Sequence, residues 1–233
     1  MKIAIISDIH SNIYALMRVL ENIEDDEKAD TIICLGDLVG YGPHPNETIA
    51  LIKRKNIISI KGNYDASVVA GDYSYIRETS INSFALPWTV NELRAANKYY
   101  LDNLPTSLTL EFNNKKIKFV HGSPNSIKEY LLEDNEETSK IMENLEEDIL
   151  VCAHTHIPYI KQFGNKLLIN DGSVGKPKYG KPNATYCILD IDKQGKVTAS
   201  IKEVEYEYRK IVKDTEMLNF PSILVRSYET GLE

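Results

Sequence analysis

A chain of 233 residues with 27 Lys and Arg against 34 Asp and Glu carries a formal net charge of −7, which gives no electrostatic footing for an obligate nucleic-acid duplex. With 42% hydrophobic and 26% charged residues the composition excludes disordered and fibrous classes, and the length suffices for one sizeable α/β domain. The three cysteines, Cys34, Cys152 and Cys187, sit in apolar runs without CxxC spacing, as expected of a reducing, cytoplasmic setting, and no run approaches the roughly 20 apolar residues that would make the membrane a partner.

The first third alternates β-branched runs with amphipathic segments, the pattern of βαβ units. Strands are expected at Ile3 to Ser7, Thr31 to Leu35 and Ile57 to Ile60. Between them Ile13, Leu16, Met17, Leu20 and Ile23 recur at helical spacing, and a second helix is expected from Asn46, after the turn signals Pro43 and Pro45. In residues 81–103, Trp88, Leu93, Ala96, Tyr100 and Leu104 make one helical face that stops at Pro105. Strands then dominate, at Leu108 to Phe112, Ile117 to His121, Ile149 to Ala153, Tyr159 to Phe163, Leu167 to Asn170, Thr185 to Ile191 and Val197 to Val204. Asn113 with Asn114 and Gly164 with Asn165 are hairpin turns, and one helix, Glu136 to Leu145, interrupts the series. The expected organisation is a domain over residues 1–205 with a helical tail, 206–233, packed on it.

Five times an apolar strand runs out and a metal-capable residue follows within a few positions: IAIISDIH, IICLGDLVG, IISIKGNYD, IKFVHGSP and ILVCAHTH. Ligands bind at the carboxyl ends of strands in open α/β sheets, so these segments can meet at one crevice. Asp8 and His10, like His154 and His156, are two residues apart, which in extended chain places both side chains on one face. Imidazole with carboxylate and amide oxygen suits ions of intermediate softness such as Mn, Fe, Ni or Zn. Asp37, after Gly36, has two oxygens with which to bridge a pair of ions about 3.5 to 4 Å apart.

Singly, each position has an ordinary explanation: Asp8, Ser11 or Asn12 as a helix cap, Asp37 and Asn63 as turn residues beside glycine, and an isolated H-x-H as chance. Jointly they do not, because four of the five histidines fall at strand ends within one ordered series.

That series, D-x-H, G-D, G-N-x-D, H-G and H-x-H, resembles the calcineurin-like metallophosphoesterases, and the longer phrases GDLVGYGPHPNE, VHGSP and AHTHIP resemble its small bacterial and archaeal phosphodiesterases. NDGSVGKP and the tail from Tyr206 to Gly231 are similar to further elements of that branch. The resemblance implies a four-layer α/β (α+β) sandwich, two mixed β-sheets flanked by helices. It implies two divalent ions, one held by Asp8, His10, Asp37 and His156, the other by Asp37, Asn63, His121 and His154. It also implies a metal-bridging hydroxide as nucleophile and a phosphate ester or nucleotide as substrate.

The chain departs from the family pattern in two places. Tyr64 stands where many members have a histidine that protonates the leaving group, and Ala153 replaces a glycine. A phenol of ordinary pKa near 10 is a poor acid at neutral pH. The catalytic candidates beside the ligands are therefore Tyr64, Asp65 as the carboxylate that would orient an acid at position 64, and His44 in the GPHP turn as a replacement acid. Lys176, Lys178 and Lys181 form a charge run able to hold a second phosphate. The expected activity is a metal-dependent phosphoesterase, more a diesterase than a monoesterase. A degenerate scaffold for protein interaction is the alternative, and a metal-dependent amide hydrolase would open on H-x-H rather than D-x-H.

Overall fold

The structure, a computed structural model, describes residues 1–232. One sheet contains β1 (Lys2–Ile6), β2 (Thr31–Cys34), β3 (Ile58–Ser59), β9 (Ala184–Ile191) and β10 (Val197–Val204), in the order β10-β9-β1-β2-β3. The other contains β4 (Ser107–Phe112), β5 (Lys115–Val120), β6 (Ile149–Cys152), β7 (Tyr159–Phe163) and β8 (Lys166–Asn170), in the order β4-β5-β6-β8-β7. Each sheet is mixed: β1, β2 and β3 run parallel, as do β5, β6 and β8, while the flanking strands are antiparallel.

Strand alternation assigns the layers. From β1, Ile3 and Ile5 face the other sheet and meet Ile117, Phe119, Ile149 and Val151, whereas Ala4 and Ile6 turn to the helices. Parallel strands are covered on both faces, which is why β1 and β6 read as unbroken apolar runs. Over the first sheet lie α1 (Ile13–Asn22), α2 (Pro45–Arg54), α3 (Asn63–Ala70), α4 (Ser80–Glu92), α5 (Ala95–Asp102), α7 (Tyr208–Met217) and α8 (Ser222–Thr230), whose Leu16, Ile49, Val68, Ala85, Leu101, Ile211 and Leu224 share one core. Over the second lies α6 (Glu136–Asn144), through Met142. The result is the expected two-sheet sandwich flanked by helices. No helix among the described residues is long and apolar enough to cross a membrane.

Two stretches differ from expectation. Residues 81–103 form two helices, because Leu93 and Arg94 turn extended and Asn46 Oδ1 accepts the Arg94 N–H at 3.1 Å. Helix α3, which begins at Asn63, was not anticipated; its apolar residues do not gather on one side, so no helical period marks it.

Candidate metal centre

The carboxyl ends of five parallel strands meet at one place. Asp8 and His10 follow β1, Asp37 follows β2, Asn63 follows β3, His121 follows β5, and His154 and His156 follow β6. All seven are buried. Asp8, His10, Asp37, His154 and His156 have left-handed backbones with φ of 49°, 47°, 52°, 68° and 61°. A non-glycine residue pays strain there, so the conformation persists only where the surroundings impose it. Those constraints are visible: the N–H groups of Asp8, His10 and Ser11 bond the carbonyls of Gly36, Asp37 and Leu38 at 3.1, 2.9 and 2.9 Å, locking the β1 loop to the β2 loop.

The ring orientations follow from hydrogen bonds to backbone carbonyls. His10, His121 and His156 donate Nδ1–H to the carbonyls of Val39 (3.1 Å), Leu35 (2.9 Å) and Lys176 (2.5 Å), and His154 donates Nε2–H to that of Lys128 (3.3 Å). A carbonyl cannot donate, so the other nitrogen of each neutral ring is a bare lone pair, the arrangement found around metal-bound histidines. His10 Nε2 and His156 Nε2 lie 3.2 Å apart. Asn63 donates its amide to Tyr75 O at 3.1 Å, which turns Oδ1 to within 2.8 Å of His121 Nε2. Acceptors facing acceptors at such distances repel unless a cation lies between them.

The carboxylates show the same division. Asp8 Oδ2 accepts from Ser7 Oγ (2.8 Å) and from the His154 N–H (3.1 Å), and Asp37 Oδ1 accepts from the Tyr64 N–H (2.8 Å). Their second oxygens, Asp8 Oδ1 and Asp37 Oδ2, are buried without a hydrogen-bond partner. Asp37 Oδ2 is 3.6 Å from His10 Nε2 and 3.4 Å from His121 Nε2, and Asp8 Oδ1 is 3.2 Å from His156 Nε2. Asp8, His10 and His156 form one compact donor group and Asp37, His121 and His154 another. The donor set thus fits divalent metal ions: the orphaned oxygens are buried anions that need a counter-charge, which without metal a proton on His121 helps to supply.

Proton affinities agree for two of the rings. Burial lowers His154 to about 3 and His156 to about 4, so both are neutral with lone pairs available at neutral pH. Burial also works against the charged form of His121, but Asp37 beside it raises the ring to about 9. A proton can therefore occupy that position until a metal displaces it.

The three catalytic candidates are placed differently. Asp65 accepts from the N–H groups of Leu38 (3.0 Å), Val39 (3.3 Å) and Gly62 (3.0 Å), which ties the Asp37 loop to the Asn63 loop and commits both oxygens to backbone groups. Burial and neighbouring Asp37 raise this carboxyl to about 7. Tyr64 lies edge-on to His10 at 4.9 Å, and burial and Tyr41 push its phenol well above the usual 10. Asn82 donates to Arg77 O, so Asn82 Oδ1 faces Tyr64 and takes its proton in a 2.7 Å bond; the Tyr64 oxygen also meets the Tyr41 hydroxyl. His44 is turned elsewhere. Its Nε2 is 2.8 Å from Asp214 Oδ2 on α7 and its ring lies edge-on to Tyr14, so it is not brought to the cluster.

Within the lysine run, Lys176 is fully buried, with Nζ 4.8 Å from the Tyr41 ring centre. Its neighbours Asp171 and Ser173 belong to the support that composition did not reveal. Ser173 Oγ donates to Asp8 O, and Asp171 Oδ1 is 2.9 Å from Ser7 Oγ, whose hydroxyl steadies Asp8. The NDGSVGKP phrase was the sequence signal for them. Asn12 adds a link from Gly175 O to Tyr206 of the tail.

A consequence concerns Gly62. A Cβ there would stand 2.1 Å from Asp37 Oδ1 and 2.2 Å from Asp37 N. Gly62→Ala is therefore expected to destabilise the fold by about 1–3 kcal/mol and to weaken metal retention, read as a lower Tm and a lower metal content.

Two mixed sheets with a histidine and carboxylate cluster at their parallel carboxyl edge define a metallophosphoesterase architecture. The sequence profile of the calcineurin-like phosphoesterase superfamily domain matches residues 1–194, and the chain belongs to that superfamily. It is 38% identical over 233 residues to an uncharacterized protein of Methanocaldococcus jannaschii, covering 91% of this chain and 92% of the relative. It is 27% identical over 204 residues to the phosphodiesterase YfcE of Escherichia coli K12, covering 82% and 89%. Among solved structures, a metallophosphoesterase from Sphaerobacter thermophilus superposes with a TM-score of 0.81 at 28% identity, covering 100% of this chain and 99% of the other. A hypothetical protein of Pyrococcus horikoshii OT3 superposes with a TM-score of 0.87 at 25% identity, covering 99% and 98%.

Proposed function

We propose that the protein is a dinuclear metal-dependent phosphoesterase that hydrolyses a phosphate diester or a nucleotide phosphate. The observation that carries this is the position of Asp37 Oδ2, an unpartnered carboxylate oxygen within 3.6 Å of His10 Nε2 and 3.4 Å of His121 Nε2. One oxygen facing both donor groups is what a bridging ligand requires. Asp8, His10, Asp37 and His156 would hold one ion, and Asp37, Asn63, His121 and His154 the other. When bound, such a pair supplies Lewis-acid charge to a phosphoryl oxygen and lowers the pKa of water enough for attack near neutral pH.

The chain's own residues do the rest. Four backbone carbonyls fix the imidazole tautomers, Ser7 and the Tyr64 N–H fix the two carboxylates, and Tyr41 and Tyr64 wall off His10. A cavity of about 610 Å³ opens onto Asn63, His154 and His156, so the substrate approaches from that side. The relative named as a phosphodiesterase supports the diester reading. A degenerate scaffold would have no use for seven buried ligands and orphaned carboxylate oxygens.

The test is a hydrolysis screen on metal-free protein reloaded with Mn, Ni, Zn or Mg, across aryl diesters, cyclic nucleotides, dinucleoside polyphosphates and monoesters. Metal-dependent diester turnover is expected. Turnover of monoesters alone would refute the diester preference, and no turnover with any metal would favour the scaffold.

A further inference from the structure

The cavity beside the ligands is larger than a phosphate group needs, and its outer walls have a distinct chemistry. One wall is the segment 74–79, the other the segment 128–132. Each is fastened to a metal ligand through a backbone carbonyl, Tyr75 O to Asn63 and Lys128 O to His154. Tyr130 stacks on the His154 ring, centroids 4.2 Å apart and planes 11° from parallel, yet 49% of the residue is exposed. From the other wall Tyr75 is 37% exposed, and Lys128 Nζ reaches across to within 3.5 Å of Ser74 O and 5.9 Å of the Tyr75 ring centre. Arg77 and Lys178 line the same cavity.

We propose that Tyr130 and Tyr75 form a stacking subsite for the base of a nucleotide, so that the substrate is a nucleoside phosphodiester rather than a simple alkyl diester. The inference rests on the phosphoesterase reading above and names its substrate class. Three observations converge. A volume of about 610 Å³ lies in the range of sites that enclose a small organic ligand, whereas a lone phosphate fills a fraction of it. An exposed phenol face held parallel to a metal ligand offers a flat platform one phosphate's reach from the donor cluster. Every base has a π-face, so such a platform accepts nucleotides as a class. Arg77, Lys128 and Lys178 give the outer cavity positive charge in a chain whose net charge is −7, which suits a phosphate-bearing ligand.

The test uses metal-loaded protein and two diesters with the same p-nitrophenyl leaving group, thymidine 5′-(p-nitrophenyl phosphate) and methyl p-nitrophenyl phosphate. The wild type is expected to show the lower KM for the nucleoside diester. Tyr130→Ala should shrink that preference by about tenfold, while Tyr130→Phe, which keeps the ring, should preserve it. Tyr75→Ala reads the second wall independently, without touching the ring stacked on His154. Metal content of each variant shows whether a change comes from a loosened His154. Equal KM for the two diesters in the wild type, or an undiminished preference in both alanine variants, would overturn the subsite. Binding of AMP, measured by calorimetry, separates the two readings. If the loaded protein hydrolyses neither diester, the diester reading fails, yet AMP binding weakened by Tyr130→Ala would still support the subsite. No AMP binding to the wild type at millimolar concentration would overturn it.

Discussion

Asp37→Asn is expected to leave the protein folded, remove its capacity for two ions and cut turnover by more than the roughly 10–100-fold that loss of an outer-shell partner costs. The reason is geometric. The Tyr64 N–H demands an acceptor at the Oδ1 position, so an asparagine is pinned with its oxygen there. Its NH₂ group then takes the place of Oδ2, among the lone pairs of His10 and His121. An amide nitrogen in that position faces both imidazoles and ligates nothing. The metal-free variant should therefore melt no lower than metal-free wild type, because a buried charge is replaced by a neutral group. Added metal, which should raise the wild-type Tm by preferential binding to the folded state, should leave the variant's Tm nearly unchanged. Calorimetric melts with and without Mn, together with turnover of an aryl diester, decide it. A variant with wild-type turnover would remove Asp37 from the site.

The second large effect concerns the leaving group. A positioned general acid contributes typically about 10²–10⁴ in rate. The Tyr64 proton is committed to Asn82, and burial holds the phenol well above its ordinary pKa. His44 is engaged by Asp214 and Tyr14. On this geometry neither is expected to protonate a departing alkoxide. Diesters with an aryl leaving group are therefore expected to turn over about 10²–10⁴ times faster than matched alkyl diesters, since a weakly basic leaving group departs without a proton. Tyr64→His should raise the alkyl rate selectively. The partner for the new ring would be Asn82 Oδ1, because Asp65 spends both oxygens on the backbone of Gly62, Leu38 and Val39. Comparable aryl and alkyl rates in the native protein would show that another group supplies the proton.

Much of this candidate site was legible in the sequence because its candidate ligands follow a repeated rule, an apolar strand ending in a metal-capable residue. The structure places the carboxyl ends of those strands together. What stayed hidden is set by contacts distant in the chain. Nothing local tells that Asp8, His10, Asp37, His154 and His156 take left-handed backbones, since the bonds that impose them join loops of different strands. His44 looked like a spare acid in its turn, but its direction is fixed by Asp214, 170 residues further along. Asp65 looked like an orienting carboxylate, but its bonds go to another loop's backbone. Lys176 read as part of a charge run able to hold a phosphate, and the fold encloses it. The strands were readable because alternation and unbroken apolar runs are local signals, whereas α3 lacks a helical period.

The most direct test of a shared, dinuclear centre is the number of ions that the folded chain retains. Metal-free protein reconstituted with Mn or Zn and freed of excess metal should contain two ions per chain by elemental analysis, falling to about one in His121→Ala, which removes a ligand of the second ion only. Zero or one ion in the reconstituted wild type, or two in His121→Ala, would contradict the account.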